Sequence, residues 1–173
     1  DIPVCNVPDY GTDEVADHSI ALALALCRQI IPIDQECKNL GWEIPNKKKI
    51  QRFGEMMFGV IGLGRIGTSV ALKAKALGFE VHFYDPYLSN GVDKSLGIAR
   101  QKDFESFISM MDVISINCPL TEETHHMITK KEINKMRKSA FIVNTARGPI
   151  INKNDLFSAL RKDKIAGAAL DVI

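Results

Sequence analysis

Three glycines, two carboxylates and one guanidinium carry most of the chemistry that these 173 residues offer. Gly62, Gly64 and Gly67 stand in the stretch Val60-Ile61-Gly62-Leu63-Gly64-Arg65-Ile66-Gly67, and Asp85 follows 18 residues after Gly67. A bare GxGxxG spacing is weak evidence, because glycine is common. In a strand–turn–helix setting it becomes a dinucleotide fingerprint. Gly62 then allows a tight turn, Gly64 lets the backbone approach a pyrophosphate, and Gly67 lets a helix pack closely on a sheet. A helix starting near Arg65 aims free N–H groups and a positive dipole end at phosphates. Asp85 is placed to accept both hydroxyls of an adenine ribose and to repel a 2′-phosphate, which favours NAD over NADP. The bland alternative is a glycine-rich turn in an ordinary βαβ unit.

Arg147 lies in Asn144-Thr145-Ala146-Arg147-Gly148, directly after an apolar run and between small residues. A planar fork of donors there suits a carboxylate or a developing alkoxide, although a surface arginine after a strand has the same sequence. Asp171 ends another apolar run, where it either accepts a bond from a nicotinamide carboxamide or caps the next element. Four histidines are available as bases. His18 falls in an apolar helix and His82 inside a strand, which suits structural roles, and His125-His126 is a tandem pair in a turn. No Ser/His/Asp, GxSxG or HExxH arrangement occurs.

These residues need elements to hold them. Met56–Ile61 is an apolar run of strand length, and Ile66, Val70, Ala74 and Leu77 recur at helical spacing, with Gly78 at the helix end. Val81–Tyr84 is a second strand. The spacing then predicts a short helix at Val92–Leu96, a strand at Ile98–Arg100 and a helix through Phe104, Phe107, Ile108 and Met111. A strand at Val113–Ile116 follows, then a helix at Thr129–Met136 with a Thr129/Glu132 capping box. Phe141–Val143 is a strand, Asn154–Lys162 a helix and Ile165–Leu170 a last strand. Such alternation predicts an α/β fold, a doubly wound parallel sheet with helices on both faces. Ligand is then expected beyond the carboxyl ends of the strands. The loops there are Gly62–Gly67, Asp85–Tyr87, Cys118-Pro119-Leu120-Thr121, Asn144–Gly148 and Asp171.

Ahead of the first glycine the pattern predicts a short strand at Val4–Val7, a turn at Pro8–Gly11 and a long helix from Thr12, as its cap, to about Gln29. This helix is so rich in Ala and Leu that it is expected to be largely buried, in the core or against another subunit. Pro32 is expected to break it, and a short helix at Asp34–Leu40 to end at Gly41. Lys47-Lys48-Lys49 with Arg52 reads as a solvated loop, or alternatively as a nuclear-import or phosphate-binding patch.

A net charge of +1 gives no reason to expect nucleic acid or an anionic membrane as partner. Cys5, Cys27, Cys37 and Cys118 lack CxxC or metal-ligand spacing and read as reduced thiols of a cytoplasmic protein. The longest apolar run, Ile20–Cys27, is too short to span a bilayer. Beginning at Asp1 and stopping after an apolar strand, the chain is expected to be a piece of a longer protein.

The sequence resembles the D-isomer-specific 2-hydroxyacid dehydrogenase family over nearly its whole length. VIGLGRIG with YDP, MDVISINCPLTEETHHMI and MRKSAFIVNTARGPIINKNDL carry the likeness. VCNVPDYGTDEVADHS and FYDPYLSNGVDKSLGI resemble the branch that holds the C-terminal-binding proteins and their bacterial dehydrogenase relatives. The resemblance implies a Rossmann-type domain inserted into a smaller substrate domain, in a dimer. Residues 1–11 would be the end of a substrate-domain strand and a hinge, and residues 12–173 the NAD-binding domain. Arg65 and Ile66 would touch the pyrophosphate, and Cys118, Pro119 and Thr124 the adenosine side. Thr145, Ala146 and Asp171 would surround the nicotinamide, and Arg147 would hold the carboxylate and carbonyl oxygen of a small 2-oxo acid. The long N-terminal helix is the expected homodimer surface. In the family a catalytic glutamate follows the aspartate matched by Asp171, and an acid–base histidine comes later. The chain stops before both, so NAD binding without turnover is expected of this piece. The alternative reading is an NAD(H)-sensing co-repressor of the same branch.

Overall fold

The structure, a computed structural model, describes residues 2–7, 9–39 and 50–173. Pro8, Leu40, Gly41 and the Lys47–Lys49 run lie outside the described residues. The elements are α1 (Thr12–Cys27), α2 (Ile30–Lys38), β1 (Met57–Ile61), α3 (Arg65–Ala76), β2 (Glu80–Tyr84), α4 (Val92–Leu96) and β3 (Ala99–Arg100). They continue with α5 (Phe104–Met110), β4 (Val113–Ile116), α6 (Lys130–Ile133), β5 (Phe141–Asn144), α7 (Lys153–Arg161) and β6 (Gly167–Leu170). All six strands are parallel, in the order β3-β2-β1-β4-β5-β6. This is the doubly wound order expected from the alternation, and it reverses direction between β1 and β4.

Because helices cover both faces, the central strands are buried on both sides and read as continuous apolar runs. Side chains alternate between two cores. Phe58 and Val60 of β1 join Val81, Phe83, Val70 and Ala74, with Ala16, Ile20 and Ala23 of α1. Ile61 faces the other way, into Ile114, Ile116, Ile142, Phe107, Met111 and Leu156. The capping box forms as expected, with Glu132 accepting from the Thr129 N–H and the Thr129 hydroxyl accepting from a backbone N–H of the first turn.

Several local expectations need correction. Val4–Val7 forms no strand. Val4 and Val7 are exposed, and no strand among the described residues pairs with this segment, so its backbone has no ladder to join. Thr12 is not the cap of α1. Gly11 holds that position, and the Thr12 hydroxyl donates to Asp9 Oδ1 instead. Pro32 does not break the helix. The chain turns at Arg28–Gln29, where Gln29 takes a left-handed φ of 52°, and Pro32 sits in the first turn of α2, where its missing N–H is no loss. Leu77 caps α3 and is 40% exposed, whereas Ala71 is buried in its place. No single helix among the described residues is long and apolar enough to cross a membrane.

At the amino edge of the sheet the buried Asp112 side chain fixes the start of β1. One carboxylate oxygen accepts the Met57 N–H at 2.9 Å and the other accepts Arg137 Nη1 at 2.8 Å. Arg137→Ala leaves a buried charged acceptor short of a partner, so it should cost about 1–3 kcal/mol in urea denaturation. Lys135→Ala, which removes an exposed pair with Glu105, should leave the midpoint unchanged.

Candidate functional site

The carboxyl ends of β1, β2, β4, β5 and β6 share one edge of the sheet, and the loops singled out in the sequence meet there. Gly62 leaves β1 with φ +83°, and a Cβ on it would lie 2.7 Å from the Cα and N of Cys118. The turn and the loop after β4 therefore touch backbone to backbone. A Cβ on Gly67 would lie 2.0 Å from the Gly62 carbonyl oxygen, so α3 starts directly over the turn. At Gly64 the opposite holds. Nothing stands within 4 Å of where its Cβ would be, and it faces open space. The N-cap of α3 is Gly64, which brings no side chain to the first turn, and Arg65, Ile66 and Gly67 form the helix start beside the open space.

Asp85 is held rigidly. The Leu63 N–H donates to its Oδ2 at 2.9 Å and the Tyr87 N–H to its Oδ1 at 3.0 Å. A carboxylate has about four acceptor sites, so both oxygens retain capacity for a ligand's hydroxyl groups. The nearby Tyr87 hydroxyl donates to Glu123, and that carboxylate pushes the phenol's pKa up.

Two clefts flank the crossing point. One, of about 680 Å³, has Tyr84, Asp85 and Tyr87 on one wall and Cys118, Pro119, Thr124 and Met127 on the other. The second, of about 770 Å³, is lined by Asp9, Gly64, Arg65, Ile66, Thr145, Ala146 and Arg147. Cys118 and Pro119 belong to both. The Thr124 hydroxyl donates to the Pro119 carbonyl at 2.6 Å and accepts the Thr121 N–H at 2.8 Å, which closes that loop on itself. Arg65 reaches to 3.6 Å from Asp9. The exposed Arg147 guanidinium donates to the Ala146 carbonyl at 2.6 Å. Asp171 lines neither cleft. It follows β6 directly, donates its N–H to the Asn144 carbonyl, and lies 3.4 Å from His18 Nε2.

Sequence reasoning missed two buried residues of this site. Asn144 donates to the Arg147 carbonyl at 2.9 Å and accepts the Ala146 N–H at 3.0 Å, which shapes the Thr145–Arg147 turn. Its signal was a polar residue closing an apolar strand. Ser19 bonds Thr145 and had no local signal. His82 is structural, as expected. Gln101 donates to its Nδ1 at 3.0 Å, so its Nε2 carries the proton and donates to Glu80 at 2.9 Å. His125 and His126 are exposed, with ring centroids 4.0 Å apart. His18 is less buried than its helix suggested, with about half its side chain exposed.

Residues 20–173 match the model of the D-isomer specific 2-hydroxyacid dehydrogenase NAD binding domain. The chain belongs to that family. It is 40% identical over 171 residues to the D-3-phosphoglycerate dehydrogenase of Methanocaldococcus jannaschii, covering 99% of this chain and 32% of the relative. It is 34% identical to the glyoxylate reductase of Korarchaeum cryptofilum, over 99% of this chain and 52% of that protein. The solved D-lactate dehydrogenase of Aquifex aeolicus, complexed with NAD and lactic acid, superposes with a TM-score of 0.89 at 32% identity, over 96% of this chain and 50% of the other. The chain thus spans about half, or less, of the length of these relatives. All three are named as dehydrogenases or reductases, and they give the co-repressor reading no support. The fold is the Rossmann-type NAD-binding domain of this family of oxidoreductases.

All four cysteines are free. Burial pushes the Cys118 thiol up to about 11 and the Cys27 thiol up to about 12. Both stay protonated at neutral pH and are poor nucleophiles. In peptide mapping after maleimide treatment at pH 7, the exposed Cys5 and Cys37 should label first, with Cys118 and Cys27 lagging by at least about tenfold.

Proposed function

We propose that this domain holds NAD along the carboxyl edge of its sheet. In its whole protein it serves hydride transfer between NAD(H) and the C2 carbon of a small 2-hydroxy or 2-oxo acid. One observation carries the reading. Asp85, the glycine turn and Arg147 follow one another along two clefts joined at Cys118 and Pro119. The residues fit the cofactor, because Gly64 leaves open space where a pyrophosphate must approach the backbone and Asp85 keeps free acceptor capacity.

On this reading Gly62, Gly64, Arg65, Ile66 and Gly67 hold the pyrophosphate, and Asp85 the adenine ribose. Cys118, Pro119 and Thr124 wall the adenosine, while Thr145, Ala146 and Asp171 surround the nicotinamide. The bound dinucleotide supplies the hydride donor or acceptor. Arg147 binds the substrate carboxylate and polarises the carbonyl oxygen as negative charge develops on it. The proton exchanged with that oxygen requires a separate acid–base group.

NADH fluorescence titration tests the cofactor assignment. Asp85→Ala should weaken binding about ten- to a hundred-fold, or about 1.5–3 kcal/mol, as for a lost bond to a charged acceptor. Unchanged affinity, or a preference for NADP in the unsubstituted protein, would contradict the role of Asp85. Steady-state assays of the full-length protein with glyoxylate, pyruvate and hydroxypyruvate test the chemistry. Arg147→Ala should lower kcat/KM by about a hundred-fold or more, with NADH binding retained.

We further propose that the protein is a homodimer through the face built on α1. The positions Ala16, Ser19, Ile20, Ala23 and Cys27 are buried within the chain. Leu22, Ala25 and Leu26, with the edge of Cys27, line an apolar cleft of about 780 Å³ with Ile31, Phe141 and Leu170, and a second copy would cover it. Light scattering at tens of micromolar should give twice the chain mass, and Ile31→Glu should give the monomer. A monomer without the substitution would sink the idea.

A further inference from the structure

Arg100 stands on the two-residue edge strand β3 and lines neither of the two clefts at the strand ends. Its guanidinium is nevertheless directed at the loop that carries Asp85. Nη2 donates to the Asp85 and Leu88 carbonyls, each at 2.8 Å, and Nη1 donates to the Ser89 carbonyl at 3.2 Å. The planar group also lies 5.9 Å from the centroid of the buried Phe83 ring, which adds a cation–π contact.

Three carbonyl oxygens that converge without a donor between them repel one another. The loop itself offers them none. Pro86 has no N–H, and among the described residues no backbone N–H is bonded to any of the three carbonyls. One side chain thus satisfies the acceptors that a regular turn would satisfy with its own backbone. The rigid fork of an arginine suits three fixed oxygens in a way that a single ammonium does not.

Asp85 is thereby held at both ends. Its carboxylate accepts the Leu63 and Tyr87 N–H groups, and its own carbonyl accepts from Arg100. We propose that Arg100 is a positioning residue for the cofactor. By tying down the main chain from Asp85 to Ser89, it keeps the Asp85 carboxylate in its binding position before any ligand arrives. The ligand then does not bear the cost of ordering that loop. This inference rests on the NAD reading above and adds a residue that lies outside the cofactor clefts.

A double-mutant cycle on the full-length protein, read by calorimetry with NAD, tests it. Arg100→Ala should weaken binding about tenfold with Asp85 intact, but less than about twofold in the Asp85→Ala background, because residues that act as a unit are not additive. In steady state Arg100→Ala should raise KM for NADH about tenfold while kcat at saturating NADH is retained. Arg100→Lys keeps the charge without the fork and should fall between, so the same cycle can be run with it if Arg100→Ala does not fold. Equal losses in the two backgrounds overturn the inference and mark Arg100 as a support of the fold only. Unchanged affinity in a folded Arg100→Ala variant overturns it as well. If the unsubstituted protein fails to bind NAD, or Asp85→Ala binds it equally well, the reading of Asp85 falls and this inference falls with it.

Discussion

The contact between Gly67 and the carbonyl of Gly62 is the constraint on which the site depends. A single methyl at Gly67 would stand 2.0 Å from that oxygen, far inside van der Waals contact, so only glycine lets α3 start there. With α3 in place, Leu63 directs its N–H at Asp85, which couples the turn after β1 to the end of β2. Gly62 does the same toward β4 by packing on the backbone of Cys118. Three strand ends are thereby held at fixed spacing, and the order reversal between β1 and β4 leaves the crevice open between them.

α1 supplies the second set of ties, toward the other end of the clefts. Lys73 of α3 pairs with Asp13 and Asp17 of α1. The attraction of the two carboxylates raises the pKa of the ammonium, although such exposed pairs contribute more to orientation than to stability. Ser19 and His18 then reach the ends of β5 and β6. The same helix begins directly after Asp9, Tyr10 and Gly11, which border the Arg147 cleft. The segment before α1 and the ends of β5 and β6 are thus tied to one and the same helix.

Much of this was legible because its signals are local. The spacing Gly62–Gly67, the carboxylate of Asp85 and the strand-length apolar runs each report a backbone requirement within a few residues. Val92–Leu96 and Val113–Ile116 have in the structure the limits the pattern predicts. The misses have non-local causes. Val4–Val7 has strand composition but no partner strand among the described residues, and composition does not reveal partners. Pro32 looks like a breaker in the sequence because its tolerance depends on where α2 begins. The Ser19–Thr145 bond joins residues 126 positions apart, so neither hydroxyl announces it.

The central claim is that one dinucleotide lies across the order reversal with its adenosine toward Asp85 and its nicotinamide toward Arg147. A crystal structure of the protein with NAD tests it most directly. The account predicts the adenine ribose on Asp85, the pyrophosphate against the N–H groups of Arg65–Gly67, and the carboxamide within hydrogen-bond reach of Thr145. A dinucleotide bound in the reverse direction, or in the apolar cleft beside α1 and β6, would contradict it.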